Sequence, residues 1–343
     1  MSKPLVIPVF IPHLGCRHSC IYCDQKKIAG EHELPDFDEL AALTADWRAN
    51  ACDIAQREVQ LAFYGGSFTG LAPDVQSDLL RSAAQLKADG LIDRIRLSTR
   101  PDYMDEDNVR LLAHFGADII ELGVQSMADD VLELAQRGHT AEDVRRAAAV
   151  IRRYPRFTLG LQMMIALPGD TPDKSRYTAE RIAELAPDFV RIYPTAVLKG
   201  TQLARLWEQG AYQPWPWEVL LDTAADVVDV FGREGIPVIR IGLQAADNLK
   251  LGSDLLAGAY HPALGELVKG RLFRRQLEAF CRQSQASAAT VYVNPRELSQ
   301  VVGQKRCNLH YCQAQYGVTL SVKADPSIAS GQLAWQEEEM EGI

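Results

Sequence analysis

Cys16-Arg17-His18-Ser19-Cys20-Ile21-Tyr22-Cys23 places three thiols within eight residues, and the apolar run Leu5-Val6-Ile7-Pro8-Val9-Phe10-Ile11 stands shortly before it. A short apolar run bounded by turn residues reads as a buried strand, so the thiols fall on the loop that leaves it. The same rhythm continues along the chain. Strands are expected near 5–12, 59–65, 94–99, 118–125, 158–166 and 189–196, and helical periodicity fits 36–55, 74–89, 105–115, 141–153 and 173–185. Pro35-Asp36 and Pro172-Asp173 mark helix starts. Strands joined through helices must be parallel, and six successive right-handed crossovers curl into a barrel or part-barrel. Chemistry in such folds collects at the C-terminal strand ends, which is where the thiols lie.

The 343-residue length suits one large barrel with an extension, or two domains. At 47% hydrophobic and 24% charged residues the composition is that of a globular chain with a substantial core. No apolar run approaches the roughly 18–20 residues of a membrane helix, and Met-Ser-Lys-Pro opens without a basic leader, so a cytoplasmic protein is expected. Seven cysteines is an odd count, unsuited to a full disulfide framework. The C-x3-C-x2-C spacing lacks the second knuckle of a four-ligand zinc site. It suits an iron-sulfur cubane with one iron left for a non-protein ligand. Zinc, or three structural thiols, are the alternatives. A net charge of -9 argues against a protein that coats nucleic acid, but the charge is uneven. Residues 264–324 carry nine Lys and Arg against three Glu, and the tail from Asp325 carries five acids and no base.

The cysteine loop resembles that of the radical S-adenosylmethionine (SAM) superfamily, with Tyr22 as the aromatic before the last cysteine. The resemblance implies a partial (β/α)6 TIM-like barrel, an α/β fold. It also implies a [4Fe-4S] cluster on Cys16, Cys20 and Cys23, and reductive cleavage of SAM to a 5'-deoxyadenosyl radical. The cofactor then carries the hard chemistry, and the protein places it and the substrate. Gly65-Gly66-Ser67 is similar to the superfamily element that holds the SAM amino group. Ser98-Thr99-Arg100-Pro101-Asp102, Glu121-Leu122-Gly123-Val124-Gln125-Ser126 and Met163-Met164-Ile165-Ala166-Leu167-Pro168-Gly169 end three later strands. With Arg137-Gly138-His139-Thr140, Ile192-Tyr193-Pro194-Thr195 and Lys199-Gly200-Thr201 they resemble, over about residues 5–245, the radical SAM half of the Elongator catalytic subunit. Gln125 and Arg137 also match the pair that contacts SAM in oxygen-independent coproporphyrinogen oxidase. The resemblance thus implies SAM contacts from Tyr22, Gly65, Gly66, Ser67, Ser98, Gln125, Arg137 and Ile165. Ser98 replaces a usual glutamate and Gln162 a usual histidine, so contacts there must be remade. About 100 residues follow the barrel and carry no acetyl-CoA-like pattern, so acetyl-CoA-dependent chemistry does not come with the resemblance.

Beyond the barrel, Trp207, Tyr212, Trp215 and Trp217 lead to a helix near 217–233 and an apolar run from Ile236 to Leu243. A helix at 264–283, a strand at 290–293, a helix at 297–315 and a strand at 318–323 then form a small α+β appendage. The expected organisation is a barrel over 1–245, a basic appendage over 246–324 and an acidic tail over 325–343, in which Glu337-Glu338-Glu339 reads as a frayed, solvated end. Val301-Val302-Gly303-Gln304-Lys305-Arg306-Cys307-Asn308 is similar to the G-x-x-G loop of a KH RNA-binding module, with Arg306 in place of the second glycine. Lys305 and Arg306 are the candidate RNA contacts, against the reading of a capping subdomain with a solvated basic face. Cys307, His310 and Cys312 are too close along one helix for tetrahedral zinc. Cys52 and Cys281 read as core, and no motif demands His13 or His18 as a ligand. The expected function is radical SAM chemistry on RNA, most simply tRNA, with a one-electron donor such as flavodoxin or ferredoxin and no membrane partner. A radical SAM enzyme of a small metabolite, porphyrin or peptide, and a non-catalytic RNA-binding protein with a structural metal, are the alternatives.

Overall fold

The computed structural model describes residues 3–11, 15, 16, 18–23, 34–243 and 253–337. His13, the boundary between 245 and 246, and the chain after Glu337 lie outside the described residues. Contacts divide the chain into two compact units, residues 1–215 with 230–259, and residues 216–229 with 260–343.

The first unit is built on seven parallel strands whose spatial order follows the chain. They are β1 (Leu5–Ile11), β2 (Val59–Gly65), β3 (Arg94–Thr99), β4 (Ile119–Gln125), β5 (Thr158–Ile165), β6 (Phe189–Pro194) and β8 (Val238–Ile241). This is the partial α/β barrel of the sequence reading, with β8, from the apolar run at 236–243, as a seventh strand. A short antiparallel pair, β7 (Ala196–Leu198) and β9 (Leu255–Gly258), stands apart from the main sheet. Helices α1 (Phe37–Asn50), α2 (Pro73–Ala88), α3 (Glu106–His114), α4 (Asp129–Leu134), α5 (Ala141–Arg152), α6 (Pro172–Ala183) and α7 (Gln202–Glu208) connect or follow the strands. Local chemistry sets their starts. Asp36 and Thr140 close capping boxes with Glu39 and Asp143, and Thr171, one residue before Pro172, caps α6.

Strand alternation separates two faces. Leu61 and Phe63, Ile95 and Leu97, Ile120 and Leu122, Leu159 and Leu161 form one fully buried apolar face. It is covered by residues such as Leu80, Ala83 and Leu86 of α2 and Val144, Ala147 and Ile151 of α5. Each such side chain contributes roughly 1.5–3 kcal/mol of burial. The opposite face carries Gln60, Tyr64, Arg96, Glu121, Gln162, Arg191 and Tyr193, in register across β2 to β6. The inner face is therefore polar, whereas a closed barrel packs its interior with bulky aliphatic layers.

The second unit contains α9 (Leu264–Gln283), β10 (Ala288–Val293), α10 (Leu298–Val302), α11 (Cys307–Tyr316), β11 (Thr319–Ala324) and β12 (Leu333–Glu337), and it includes residues 216–229 of α8 (Trp217–Arg233). β10 pairs parallel with β11 and antiparallel with β12, over a core of Phe273, Leu277, Val291, Val301, Leu309 and Leu320. One expectation is corrected here. The helix read over 297–315 is broken, because Gly303, Lys305 and Arg306 all have positive φ. The acidic tail from 325 contributes β12, pinned by Trp335 stacking on Phe280 with centroids 4.3 Å apart. The basic stretch at 264–324 shares this unit with acids: over residues 216–229 and 260–343 the sequence holds nine Lys and Arg and twelve Asp and Glu. Arg271 bonds Glu218 and Asp222, and Arg275 bonds Asp226, so much of the apparent excess is neutralised by α8.

One buried amide holds the broken helix together. Asn308 Nδ2 donates to the carbonyls of Gly270, Gln300 and Val301 at 3.0, 3.1 and 3.1 Å. Asn308→Ala removes these three bonds from the core. It is expected to lower the unfolding free energy of this unit by on the order of 2 kcal/mol. Urea denaturation followed at Trp335 measures this, and an unchanged midpoint would contradict the clamp.

Candidate active site

The cysteine loop is seated by backbone approaching backbone. A Cβ on Gly70 would lie 2.1 Å from the Gly15 carbonyl, and one on Gly15 2.4 Å from the Ser67 carbonyl. Gly65, with φ +100, has the Ile11 carbonyl where its Cβ would be, at 2.7 Å. Only residues without side chains allow the loop after β1 to lie against the turn after β2. Ile21 anchors the other end. It is buried against Val197, Leu203 and Tyr212, its N–H donates to the Ala135 carbonyl, and its carbonyl accepts from the Leu203 N–H at 2.7 Å. The His18 ring lies over Gly138, where a Cβ would meet it at 2.6 Å.

This seating opens a cavity of about 430 Å3 at the C-terminal strand ends. Cys16, Cys20 and Cys23 line it together with Tyr22, Gly65, Gly66, Ser67, Ser98, Gln125 and Arg137. Of the residues expected around the cofactor, Ile165 alone does not line it. Its side chain points to the apolar face, its carbonyl accepts from Thr195 N–H and Oγ1–H, and its neighbour Met164 faces the cavity. Strand alternation explains the exchange. The cavity also takes in Arg100, Glu121, Gln162 and Tyr193. Their motifs were visible in the sequence, but which of their side chains turn inward depends on strand phase.

Charge is concentrated around Cys20. Arg137 Nη1 donates to its Sγ at 3.2 Å, and Nη2 to the Gly123 carbonyl at 2.6 Å. Burial opposes ionisation of the Cys20 thiol, but the Arg137 charge and hydrogen bond, with Arg100 beyond, outweigh it and hold the thiol below its ordinary pKa. Arg100, 2% exposed, is gripped by Asp102 through Nε and Nη2 at 2.9 and 3.0 Å and donates to the Arg137 carbonyl, while its buried Nη1 has no partner. Across the cavity, Cys16 Sγ donates to Ser67 Oγ at 3.4 Å, and Gln162 Nε2 donates to the Gln125 side-chain carbonyl at 3.3 Å. Gln125 holds a left-handed backbone, φ +65, a strained state common at functional sites. Burial also opposes the charge of Glu121, but Arg191 and Arg96 beside it keep its carboxyl below the usual range.

Among the described residues no three His, Cys, Asp or Glu side chains converge on one ion position. The three thiols are instead distributed around one cavity, as a cubane that takes each sulfur on a different iron requires. With cationic donors beside them, the residues present fit such a cluster. The remaining cysteines do not join. Cys52 is exposed, which corrects its assignment to the core; Cys307 is exposed, while Cys281 and Cys312 are buried in the second unit. Lys305 and Arg306 are exposed in that unit, on the loop between α10 and α11.

Residues 10–182 match the radical SAM superfamily, and residues 187–274 match the radical SAM C-terminal domain. A tRNA uridine(34) acetyltransferase of Dehalococcoides mccartyi (strain CBDB1) is 26% identical over 260 residues, 64% of this chain and 55% of that protein. Elongator complex protein 3 of Saccharomyces cerevisiae is 32% identical over 138 residues, 39% of this chain and 24% of that protein. The chain thus spans about half or less of these two relatives' length. An uncharacterised Methanocaldococcus jannaschii protein is 27% identical over 225 residues, 62% of this chain and 67% of its own. In fold, an archaeal Elp3 structure from Methanocaldococcus infernus superposes with a TM-score of 0.60 at 20% identity, covering 80% of this chain and 64% of that one. Among the described residues no helix is long and apolar enough to cross a membrane.

His139 carries the pH signature of this site. Burial, together with the Arg137 and Arg100 charges, pushes its pKa down to about 3, while one ring nitrogen meets the Val124 carbonyl at 3.2 Å. The folded value lies below the unfolded value of roughly 6.5, so the stability it confers is whole above that pH and is lost as pH falls towards 3. Asp170, pushed by burial up to about 6, acts oppositely: its contribution is whole below the unfolded carboxylate value and is lost as pH rises through 6. His139→Gln is therefore expected to remove about 2 kcal/mol of the stability lost between pH 7 and pH 5. Urea midpoints of both proteins at the two pH values test this, and parallel pH dependences would refute it.

Proposed function

This chain belongs to the radical SAM superfamily of enzymes, and on that premise we propose that it cleaves SAM reductively at a [4Fe-4S] cluster held by Cys16, Cys20 and Cys23 in order to modify RNA, tRNA in the first instance. One observation carries the cofactor part: the three thiols and every residue expected to contact SAM except Ile165 line a single cavity. When bound, the reduced cluster supplies the electron that breaks the sulfonium bond and yields a 5'-deoxyadenosyl radical. The chain's own residues do the placing. The side-chain-free edge at Gly65-Gly66 lets backbone groups approach the SAM amino group, with Ser67 beside Cys16. Arg137, fixed by Gly123 and by Arg100, directs a guanidinium at a carboxylate or ribose oxygen. Ser98 and Gln125 supply polar contacts, and Tyr22 with Met164, in place of Ile165, supplies the apolar wall.

The RNA part is supported by the relatives, named for tRNA uridine(34) acetyltransferase and Elongator complex protein 3. Acetyl transfer itself is not proposed. Phosphate contacts are assigned to Lys305 and Arg306, exposed on a loop whose left-handed backbone holds both residues at its turn. A one-electron donor such as flavodoxin or ferredoxin completes the reaction, in the cytoplasm.

Anaerobically reconstituted protein given SAM and reductant is expected to release 5'-deoxyadenosine, and Cys16→Ala, Cys20→Ala or Cys23→Ala to bring release to background. A preparation with about four irons and matching sulfide that releases none would overturn the cofactor reading. For the substrate, tRNA nucleosides from a deletion strain should lack a modification present in the wild type. Lys305→Glu with Arg306→Glu should weaken a tRNA gel shift at physiological salt; a shift that charge reversal leaves unchanged removes these two residues from the interface.

A further inference from the structure

Among the described residues four arginines are buried, and three of them meet carboxylates. Arg96 shares Glu121 with Arg191 in an ion triad, at 2.7 and 3.1 Å, Arg100 is gripped by Asp102, and Arg271 bonds Glu218 and Asp222. Arg137 meets no carboxylate among these residues. A buried charge without a counter-charge is costly, so an anionic group is expected beside it. The atom in that place is Cys20 Sγ, to which Arg137 Nη1 donates at 3.2 Å across 117 residues of sequence. Both sides of this contact are fixed. Arg137 Nη2 donates to the Gly123 carbonyl at 2.6 Å, its backbone N–H donates to the Leu132 carbonyl at 2.9 Å, and its carbonyl accepts from Arg100. Cys20 is buried, its neighbour Ile21 is tied to Ala135 and Leu203, and its own carbonyl accepts from the Cys23 N–H at 3.1 Å. Cys16 has a different kind of partner, the neutral hydroxyl of Ser67.

We propose that Arg137 sets the reduction potential of the cluster through Cys20, holding it higher than the three thiolates alone would. The inference rests on the cofactor reading above, in which the Cys20 sulfur is a cluster ligand. Accepting one electron makes the cluster more negative by one charge. A hydrogen bond to a ligand sulfur and a fixed positive charge beside it both favour that more negative state. In a buried, low-dielectric setting the preference is larger than in water. The electron comes from the one-electron donor of that reading, and no proton moves, because a guanidinium stays protonated at any working pH. A guanidinium has five N–H donors, and Arg137 uses one on Cys20 and one on Gly123. Its contact with a SAM carboxylate or ribose oxygen can therefore be made at the same time. On this reading one residue touches both the sulfur of the electron-carrying cluster and the molecule that receives the electron.

The test is an EPR-monitored redox titration of the reconstituted holoenzyme without SAM, so that the contact to Cys20 is read apart from any contact to SAM. Arg137→Met keeps a similar length and removes both the charge and the donors. At iron and sulfide contents equal to the wild type, its midpoint potential is expected to fall by about 59 mV or more, a tenfold shift in the one-electron equilibrium. Because a buried arginine also matters for folding, Gly123→Ala is the companion variant. Its Cβ would lie 3.1 Å from Arg137 Nη2 and 2.8 Å from Gln125 Nε2, both of them ends of side chains, so the strand is kept while the guanidinium is pushed from its place beside Cys20. The potential is expected to fall in the same direction. An unchanged or higher potential in cluster-loaded Arg137→Met overturns the proposal, as does a drop that appears only when SAM is present. Should Arg137→Met take up no cluster, Gly123→Ala decides, and an unchanged potential there overturns it. If the wild type carries the cluster and releases 5'-deoxyadenosine while all the potentials coincide, this inference alone falls; if the wild type takes up no cluster, the cofactor reading falls with it.

Discussion

Successive side chains of a strand point to opposite faces, and in this protein that alternation sets both the stability and the chemistry. β2 to β6 each give one set of side chains to the helices, as with Ile95 and Leu97, and turn the other set inward, as with Arg96 and Ser98. A slip of one residue in any strand would bury arginine under a helix and expose leucine to the cavity, so the register is fixed by a large penalty. The apolar face offsets the cost of the inner one. The ion triad is expensive to desolvate, but it sits behind a fully packed outer layer whose Leu, Ile and Val side chains are essentially without exposure.

The cysteine loop depends on a different constraint, the space that absent side chains leave. Gly15, Gly65 and Gly70 bring two backbone segments together so that the thiols and Gly66-Ser67 share one cavity wall. Electrostatics then acts on a short chain of contacts. Asp102 orients Arg100, Arg100 holds the Arg137 carbonyl, and Arg137 reaches both Cys20 and Gly123. A guanidinium fixed at both ends needs no reorganisation when a negative ligand arrives, and in a low-dielectric cavity its interactions are stronger than in water.

What the sequence made legible follows the range of each interaction. The cysteine spacing, the strand-end glycines and the helix caps are local, and they placed the site and the six strand–helix units. Ile165 turns away from the cavity and Met164 into it because a motif is a run of residues, whereas the inward residue is decided by the phase of the strand. The Arg96–Glu121–Arg191 row escaped notice because its members lie 25 and 70 residues apart and meet only through the sheet. The breaks at Lys305 and Arg306 place non-glycine residues at positive φ, which no propensity signals. The appendage is basic over 264–324, but the acids that bond its arginines, Glu218, Asp222 and Asp226, lie earlier in the chain and five more follow from Asp325, so its charge balance is not a local property.

That charge balance bears on how such a chain would hold RNA. Affinity drawn from the phosphate backbone grows with the number of phosphates neutralised, and a second unit with more acids than bases cannot supply many. On the RNA reading, two exposed cations on the 303–306 loop would orient a strand rather than grip it. On the RNA reading, discrimination must then come from contacts to a base, and in the first unit those contacts require buried, fixed donors and acceptors. An enzyme that generated a radical beside a loosely held substrate would gain nothing from cleaving its cofactor. Close placement of the substrate against the cofactor is what the chemistry of the cysteine loop demands of the rest of the barrel.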